Sequence, residues 1–362
     1  MARDVLAAAR PRWSAGERAT GTEEPARARL WGRVAELGWL GLEVPEEHGG
    51  AAATFGETAV VLEEMGRALT ACPFVGTAVL GAAVLGAVEP AAGRDDLLRA
   101  VGAGECVLAV ATGEATTGPA FRLEAAGGGY RLRGRAAFVL DAPEADCLLL
   151  VATERDASPV VVAVSRRASA VAVEDQPVLD VTRRFGMVVA EDVEVAGPEV
   201  WRFAGDAGDA AAAVARLGDR GALAVALDSL GVAEAMVETT VAYAGERRQF
   251  GRPIGSFQAV KHACADMLVA TTMSRELCAL AVEDMVAGTP DASASVSRAK
   301  SHAGAAAVEV AGKAMQLHGG FGYTWESGIH AALKRAALNR SLFGSVRSHR
   351  QRLAARLTTS TP

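Results

Sequence analysis

Between residues 27 and 40, and again between 58 and 69, Leu, Val and Ala recur at three- and four-residue intervals among charged positions, the spacing of an amphipathic helix. Pro and Gly clusters, Val44-Pro45 and His48-Gly49-Gly50 among them, interrupt these stretches. From about Glu105 to Pro198 the period changes to two. Phe121 to Ala125, the triplet Gly127-Gly128-Gly129 and Tyr130 to Gly134 predict a β-hairpin, because alternation on both sides of a glycine cluster brings two half-buried strands together. Cys147 to Ala152 and Pro159 to Val164 are unbroken apolar runs of strand length, and Met187 to Val195 predicts one more strand or a pair. After about Asp206 the helical period returns, in long stretches at 209–245, 255–287 and 292–317. The pattern predicts an N-terminal helical domain over 1–104, a middle β domain over 105–200 and a C-terminal helical domain with an antiparallel four-helix core over 201–362. The class is α+β, mostly α. No Gly-x-Gly-x-x-Gly turn opens a helix after a strand, so a Rossmann cofactor site is not supported.

Composition narrows the classes. Half of the 362 residues are apolar, 22% are charged and the formal net charge is -6. That balance argues against a nucleic-acid partner, which needs an excess of Lys and Arg to neutralise phosphates. The five cysteines are scattered, odd in number and form no CxxC pair, so neither a disulfide framework nor a metal site is expected. The opening residues carry charges throughout and lack a signal-peptide core, and charges interrupt every Ala-rich run well short of a membrane span. A soluble, cytoplasmic protein is the expectation.

Two segments carry chemistry. The first runs from Tyr243 through Glu246-Arg247-Arg248-Gln249-Phe250-Gly251-Arg252-Pro253-Ile254-Gly255-Ser256-Phe257-Gln258 to Ala259. Taken as plain structure, it is a helix–loop–helix with an exposed Arg pair and with Ser256 placed to cap the next helix. Taken as chemistry, paired Arg side chains beside a helix start suit a pyrophosphate. The second is Gln316-Leu317-His318-Gly319-Gly320-Phe321-Gly322-Tyr323-Thr324-Trp325-Glu326. Its glycines fit a helix C-cap and turn, and they also let backbone approach a flat ligand.

Either segment alone is a weak signal. Together, on successive long helices, they resemble the acyl-CoA dehydrogenase family. Leu37 to Gly50 looks like that family's N-terminal helix and turn, Ala265-Asp266-Met267 follows the first segment as the family does, and the likeness spans essentially the whole chain. The resemblance implies the family fold, with a helical domain, a β-barrel-like sheet domain and a four-helix bundle. It also implies FAD. Arg247, Gln249, Phe250, Ile254, Phe257 and Gln258 would contact the cofactor from one turn, and Gln316, Gly319 and Gly320 from the other, with Ser345 nearby. The two turns are expected to meet across a subunit boundary rather than within one chain. The implied reaction oxidises an acyl-CoA thioester to the 2,3-enoyl thioester. The implied partners are an electron-transfer flavoprotein and, in the oligomer, identical or homologous subunits: a homodimer, a homotetramer or a heterotetramer.

The departures from the family pattern shape the expectation further. Counting from Gly322, the position of the family's catalytic glutamate falls on Phe343, which cannot take a proton. This resembles the subunits of heteromeric members that lack the glutamate, with a partner chain supplying the base. Within this chain the candidate bases are Asp228, set among apolar residues, and Asp219, which follows Gly218 like an N-cap; a buried structural acid paired with Arg is the competing role for Asp228. The family's flavin-ring motifs correspond to Ala111–Gly118 and Phe138–Asp141, where Leu140 has no hydroxyl to donate. His318 reads as a packing or capping residue, and the basic tail as a solvated or interface face. Two alternatives stay open: a non-catalytic scaffold subunit contributing half a flavin site, and an oxygen-using flavin oxidase on the same fold.

Overall fold

The computed structural model describes residues 2–9, 24–113 and 120–359. Helices come first: α1 (Ala2–Ala8), α2 (Glu24–Glu36), α3 (Phe55–Ala68), α4 (Ala82–Ala87), which continues a π-helical stretch Val75–Gly81, and α5 (Ala92–Ala103). Eight strands follow: β1 (Leu108–Ala111), β2 (Phe121–Ala126), β3 (Gly129–Leu140), β4 (Cys147–Thr153), β5 (Pro159–Ser165), β6 (Val171–Asp175), β7 (Phe185–Val195) and β8 (Val200–Arg202). The rest is helical apart from a two-strand ribbon: α6 (Ala207–Glu246), β9 (Arg248–Gln249), β10 (Arg252–Pro253), α7 (Gln258–Ala287), α8 (Ala292–His318), α9 (Ile329–Ser341) and α10 (Val346–Thr359). No helix among the described residues is long and apolar enough to cross a membrane.

The chain folds into two compact units. One takes the described residues of Met1–Arg27, Phe55–Ala71 and Ala222–Pro362, and the other takes Ala28–Thr54 and Cys72–Gly221. In the second unit the sheet order is β6-β7-β3-β2-β4-β5-β8, with β1 alongside β4. Pairing is antiparallel except that β1 and β2 run parallel to β4. The predicted hairpin is β2 and β3, in the register Phe121 to Gly134 and Ala126 to Gly129. Gly134 sits at φ 148 where β3 slips register against β7, and any Cβ there would collide with the Ala120 carbonyl. Met187 to Val195 lies in one long strand, bent by two such irregularities, and not in a pair. Phe121, Leu123, Leu132, Leu148, Leu150 and Val162 alternate inward to form this unit's core.

Helix α2 stops at Glu36, earlier than the 27–40 pattern implies, because Gly38 turns the chain at φ 72 and a short 3-10 turn holds Trp39–Gly41.

In the first unit α8 lies at the centre, packed on α7, α9 and α10. Small residues permit the close approaches. Gly66 of α3 faces the Asp228 backbone, and Gly231 of α6 faces the Glu63 backbone so tightly that a Cβ at either would overlap a carbonyl oxygen. Ala311, Ala314, Ala332 and Ala336 line α8 against α9, with Val232, Met236 and Met267 filling the remainder.

Candidate functional site

Helix α6 ends at Glu246, and the chain reverses at once through the β9–β10 ribbon. Phe250 (φ 55) and Gly251 (φ 78) form the two-residue tip, both in the left-handed region that a tight hairpin requires. The Ile254 N–H donates to the Arg247 carbonyl at 2.8 Å and closes the base of the ribbon. Phe250 is left 89% exposed, while its ring meets Phe257 edge-on at 6.1 Å. The Arg252 guanidinium lies 4.1 Å above the Phe257 ring. Arg247 and Arg248 are exposed, and no carboxylate pairs with Arg247, Arg248 or Arg252 among the described residues.

The second turn ends α8. Gly319 adopts φ 61 and ψ −141, a conformation open essentially to glycine alone. A Cβ at Gly322 would lie 2.6 Å from the Met315 carbonyl. At Gly319 and Gly320 an added Cβ would meet no atom, so that backbone faces open space.

Both turns line one cavity of about 550 Å³, which includes Arg247, Gln249, Ile254, Gln316, Gly319 and Gly320. A neighbouring cavity of about 480 Å³ adds Phe250, Phe257 and Lys313 and shares Gln249, Ile254 and Gln316. The expectation that Arg247 and the Gln316–Gly320 turn meet only across a subunit boundary is thereby corrected. They come together within one chain, because the ribbon after α6 folds back beside the end of α8. Gln258, at the exposed start of α7, lines neither cavity. Ser345 lies elsewhere, at the start of α10, where its Oγ accepts the Ser348 N–H at 3.1 Å. Ser256 does not cap α7. Its hydroxyl donates to the Pro253 carbonyl at 2.7 Å inside a 3-10 turn, and Phe257 takes the cap position.

The first cavity has an aromatic floor, none of whose residues is among the expected cofactor contacts. Tyr243 stacks on His318 with ring centroids 4.2 Å apart, and Phe321 lies nearly parallel to Tyr243 at 6.1 Å. The Ala314 carbonyl is 2.8 Å from His318 Nδ1 and can only accept, so Nδ1 carries a proton; burial pulls the imidazole pKa below its ordinary value. The available clue was spacing, since Tyr243 precedes Arg247 by one helical turn and shares its face.

The candidate bases are placed differently. Asp228 is 2% exposed, its Oδ2 accepting from Arg335 at 2.9 Å and its Oδ1 from Asn339 at 2.6 Å. Arg335 also donates to the Thr70 carbonyl at 2.8 Å. Asp228 lines neither cavity, and this geometry fits the buried structural acid rather than a base. Asp219 is no N-cap: α6 begins at Ala207, which leaves Asp219 inside the helix and buried. Phe343 is half-buried in the link between α9 and α10, at φ 52. In the sheet unit, residues 114–119 of the Ala111–Gly118 stretch lie outside the described residues, and Leu140 is buried and paired with Phe185.

A helix–sheet–helix order along the chain, with an Arg-bearing ribbon beside a glycine turn, is the arrangement expected of an acyl thioester dehydrogenase. Family models agree: that of the acyl-CoA dehydrogenase N-terminal domain matches residues 1–105, and that of the C-terminal domain matches 211–358. The acyl-CoA dehydrogenase IpdE2 of Mycolicibacterium smegmatis is 32% identical over 90% of this chain and 87% of its own length. The L-prolyl-[peptidyl-carrier protein] dehydrogenase of Pseudomonas fluorescens is 30% identical, covering 91% of this chain and 90% of its own. A subunit in the crystal structure of the ChsE4–ChsE5 complex from Mycobacterium tuberculosis superposes with a TM-score of 0.84 at 27% identity, over 92% of this chain and 89% of the other. The chain belongs to the acyl-CoA dehydrogenase family and is an oxidoreductase of that kind.

Proposed function

We propose that this chain binds FAD and takes part in oxidising an acyl-CoA thioester to its 2,3-enoyl thioester, as one subunit of a mixed oligomer whose partner supplies the base. The observation that carries the reading is the convergence of Arg247, Gln249 and the Gly319-Gly320 backbone on one cavity. The fit to FAD rests on this chain's own features: exposed guanidinium groups for the pyrophosphate, a glycine backbone where a side chain would fill the cradle, and an aromatic floor beside it. When bound, the cofactor supplies a two-electron acceptor for the hydride leaving Cβ as a base takes the Cα proton.

Within that scheme Arg247 counters the pyrophosphate charge, Gln249 and Gln316 orient the nucleotide, and the glycines admit it. Phe343 cannot accept the Cα proton, and Asp228 is engaged by Arg335 and Asn339. That leaves the base to a homologous partner, a reading favoured by the two-protein composition of the ChsE4–ChsE5 neighbour. Phe250 and the exposed apolar residues Leu268, Val269 and Met273 of α7 supply surface for such an assembly. Electrons would pass on to an electron-transfer flavoprotein.

The test is the absorption spectrum of the purified protein, alone and co-expressed with its homologous partner. Yellow protein whose flavin is bleached by acyl-CoA only in the mixed oligomer is the expected result. Rapid bleaching by the homo-oligomer would overturn the shared-base scheme, and failure to retain FAD in either form would overturn the whole reading.

A further inference from the structure

We propose that His318 is a hydrogen-bond acceptor built into the first cavity, where its Nε2 takes a sugar hydroxyl of the cofactor beside the pyrophosphate. The contacts that orient the ring are visible in the structure itself; the identity of the donor rests on the FAD reading above.

His318 is the last residue of α8, next to the Gly319-Gly320 turn, and it lines the cavity together with Arg247, Gln249 and Gln316. Three contacts hold it. Its Nδ1 donates to the Ala314 carbonyl at 2.8 Å. The Tyr243 ring stacks on the imidazole at 4.2 Å, with 21° between the planes, and the Tyr243 hydroxyl lies 3.5 Å from the His318 carbonyl. With Nδ1 engaged as a donor, the neutral ring keeps its free lone pair on Nε2. Burial disfavours the protonated form and so keeps the ring in that state. Nε2 has no hydrogen-bond partner among the described residues.

Neither packing nor capping accounts for all of this. Packing against Tyr243 needs only a ring, and Phe would supply one without a nitrogen to desolvate. Bonding the end of α8 uses Nδ1 alone. What remains is an oriented acceptor in a cavity where Arg247 can only donate and where no carboxylate is among the lining residues. A pyrophosphate answers the guanidinium, yet its oxygens carry no proton and would meet the Nε2 lone pair unfavourably. The sugar hydroxyls on either side of the pyrophosphate, in the ribose and in the ribityl chain, are the donors of FAD nearest to that charge. Each carries the proton that Nε2 lacks. Arg247 and His318 thus read two adjoining parts of one ligand, the anion by charge and the sugar by a neutral acceptor.

The experiment separates the two ring nitrogens in the full-length oligomer stripped of FAD. An Asn side chain places its amide near the Nδ1 position and stops short of Nε2, whereas Gln reaches the Nε2 position and can present its oxygen there. Both lose the stack with Tyr243. Binding of FAD, ADP and inorganic pyrophosphate is measured by titration calorimetry, with far-UV circular dichroism to check the fold. His318→Asn should weaken FAD binding by roughly three- to tenfold, the range of one neutral hydrogen bond. His318→Gln should stay within about twofold of wild type, and pyrophosphate should bind all three proteins alike. A parallel loss for ADP assigns the hydroxyl to the ribose; a loss confined to FAD assigns it to the ribityl chain. Equal weakening by Asn and Gln, a loss that extends to pyrophosphate, or unchanged FAD affinity in His318→Asn would reduce His318 to a support of the turn and overturn the proposal. If the variants do not fold, the ¹⁵N resonance of Nε2 in wild-type protein decides. FAD should shift it and pyrophosphate should not, and a resonance that FAD leaves in place overturns the proposal equally. Wild-type protein that fails to bind FAD would instead refute the functional reading, and the sugar contact with it.

Discussion

Asp228→Asn removes the charge facing Arg335 while preserving the size of the side chain. Arg335 is 1% exposed, so its guanidinium cannot recover water in place of the lost carboxylate. The amide also fits less well. With its oxygen towards Arg335, its NH₂ points at Asn339 Nδ2, which now donates to Asp228 at 2.6 Å, so Asn339 must flip to offer its oxygen and give up its 3.3 Å bond to Ser229 Oγ; flipped the other way, the new NH₂ meets guanidinium N–H. Breaking one side of a buried pair typically costs about 3–5 kcal/mol, a large share of the roughly 5–15 kcal/mol that holds a typical domain. Urea unfolding of the FAD-loaded protein, followed by far-UV circular dichroism at fixed cofactor concentration, should show the midpoint falling with little change in slope. Adding Arg335→Met removes the stranded charge and should recover part of the loss, because the two sites are directly coupled. A catalytic base would behave otherwise. Asp228→Asn would then stay within about 1 kcal/mol of wild type while slowing flavin reduction by roughly 10²–10⁴-fold. That combination would refute the structural assignment of Asp228.

Arg247→Ala should weaken FAD binding by roughly ten- to a hundredfold through loss of a charge-assisted contact, measured by titrating the apoprotein with FAD and following flavin fluorescence. If residue 343 occupies the base position, Phe343→Glu should give the homo-oligomer a base of its own and raise single-turnover flavin reduction by an acyl-CoA by up to about 10²–10⁴-fold; no change in a folded, FAD-loaded variant counts against that placement. Burial holds the Lys300 amine at about 8, below its ordinary 10.5, so the folded chain binds fewer protons than the unfolded chain between those values. The cost of burying the cation is therefore fully present below about pH 8 and is relieved as pH rises towards 10.5, by at most about 3 kcal/mol. The stability difference between wild type and Lys300→Met, measured by urea unfolding at pH 7 and pH 10, should shift in favour of wild type at the higher pH.

Much of this architecture was legible in the sequence, for reasons particular residues make plain. The β2–β3 hairpin announced itself because Phe121, Leu123 and Leu132 alternate inward across a glycine turn, and a period of two has no helical reading. The three long C-terminal helices followed from 3.6-residue periodicity, to within three residues at every end. The errors lie where local signals have two readings. Ser256 before a helix resembles a cap, yet the chain spends one more residue in a 3-10 turn and Phe257 takes the place. Gly218-Asp219 resembles a helix start, yet α6 runs through it, because a single glycine costs a helix only about 1 kcal/mol and burial of the surrounding Leu and Ala side chains outweighs that. Asp228 illustrates a deeper limit. An acid in an apolar stretch shows that something must compensate it, but its partner Arg335 lies 107 residues away, and no local pattern reports a tertiary pair.

The same contrast explains why the family was easier to read than the site's detailed geometry. Arg335, Asn339 and Lys300 are buried, and packing or hydrogen bonding accounts for each of them. The ribbon after α6 has no such account. A two-residue hairpin tip favours Asn-Gly, whereas here a Phe occupies the left-handed first position and leaves its ring in solvent. The backbone strain, about 1–2 kcal/mol on the usual scale for an L-residue there, is met within the chain only by the edge-on contact of Phe250 with Phe257. Beside it, Arg247 and Arg248 are exposed cations without carboxylates among the described residues, and Gly319-Gly320 opens backbone onto an adjoining cavity. Residues that the fold does not need, set in conformations it would avoid, require a reason outside the chain. The proposed FAD, covered by a neighbouring subunit, would supply that reason for all of them at once: charge for the arginines, close approach for the glycines, and burial for the phenylalanine.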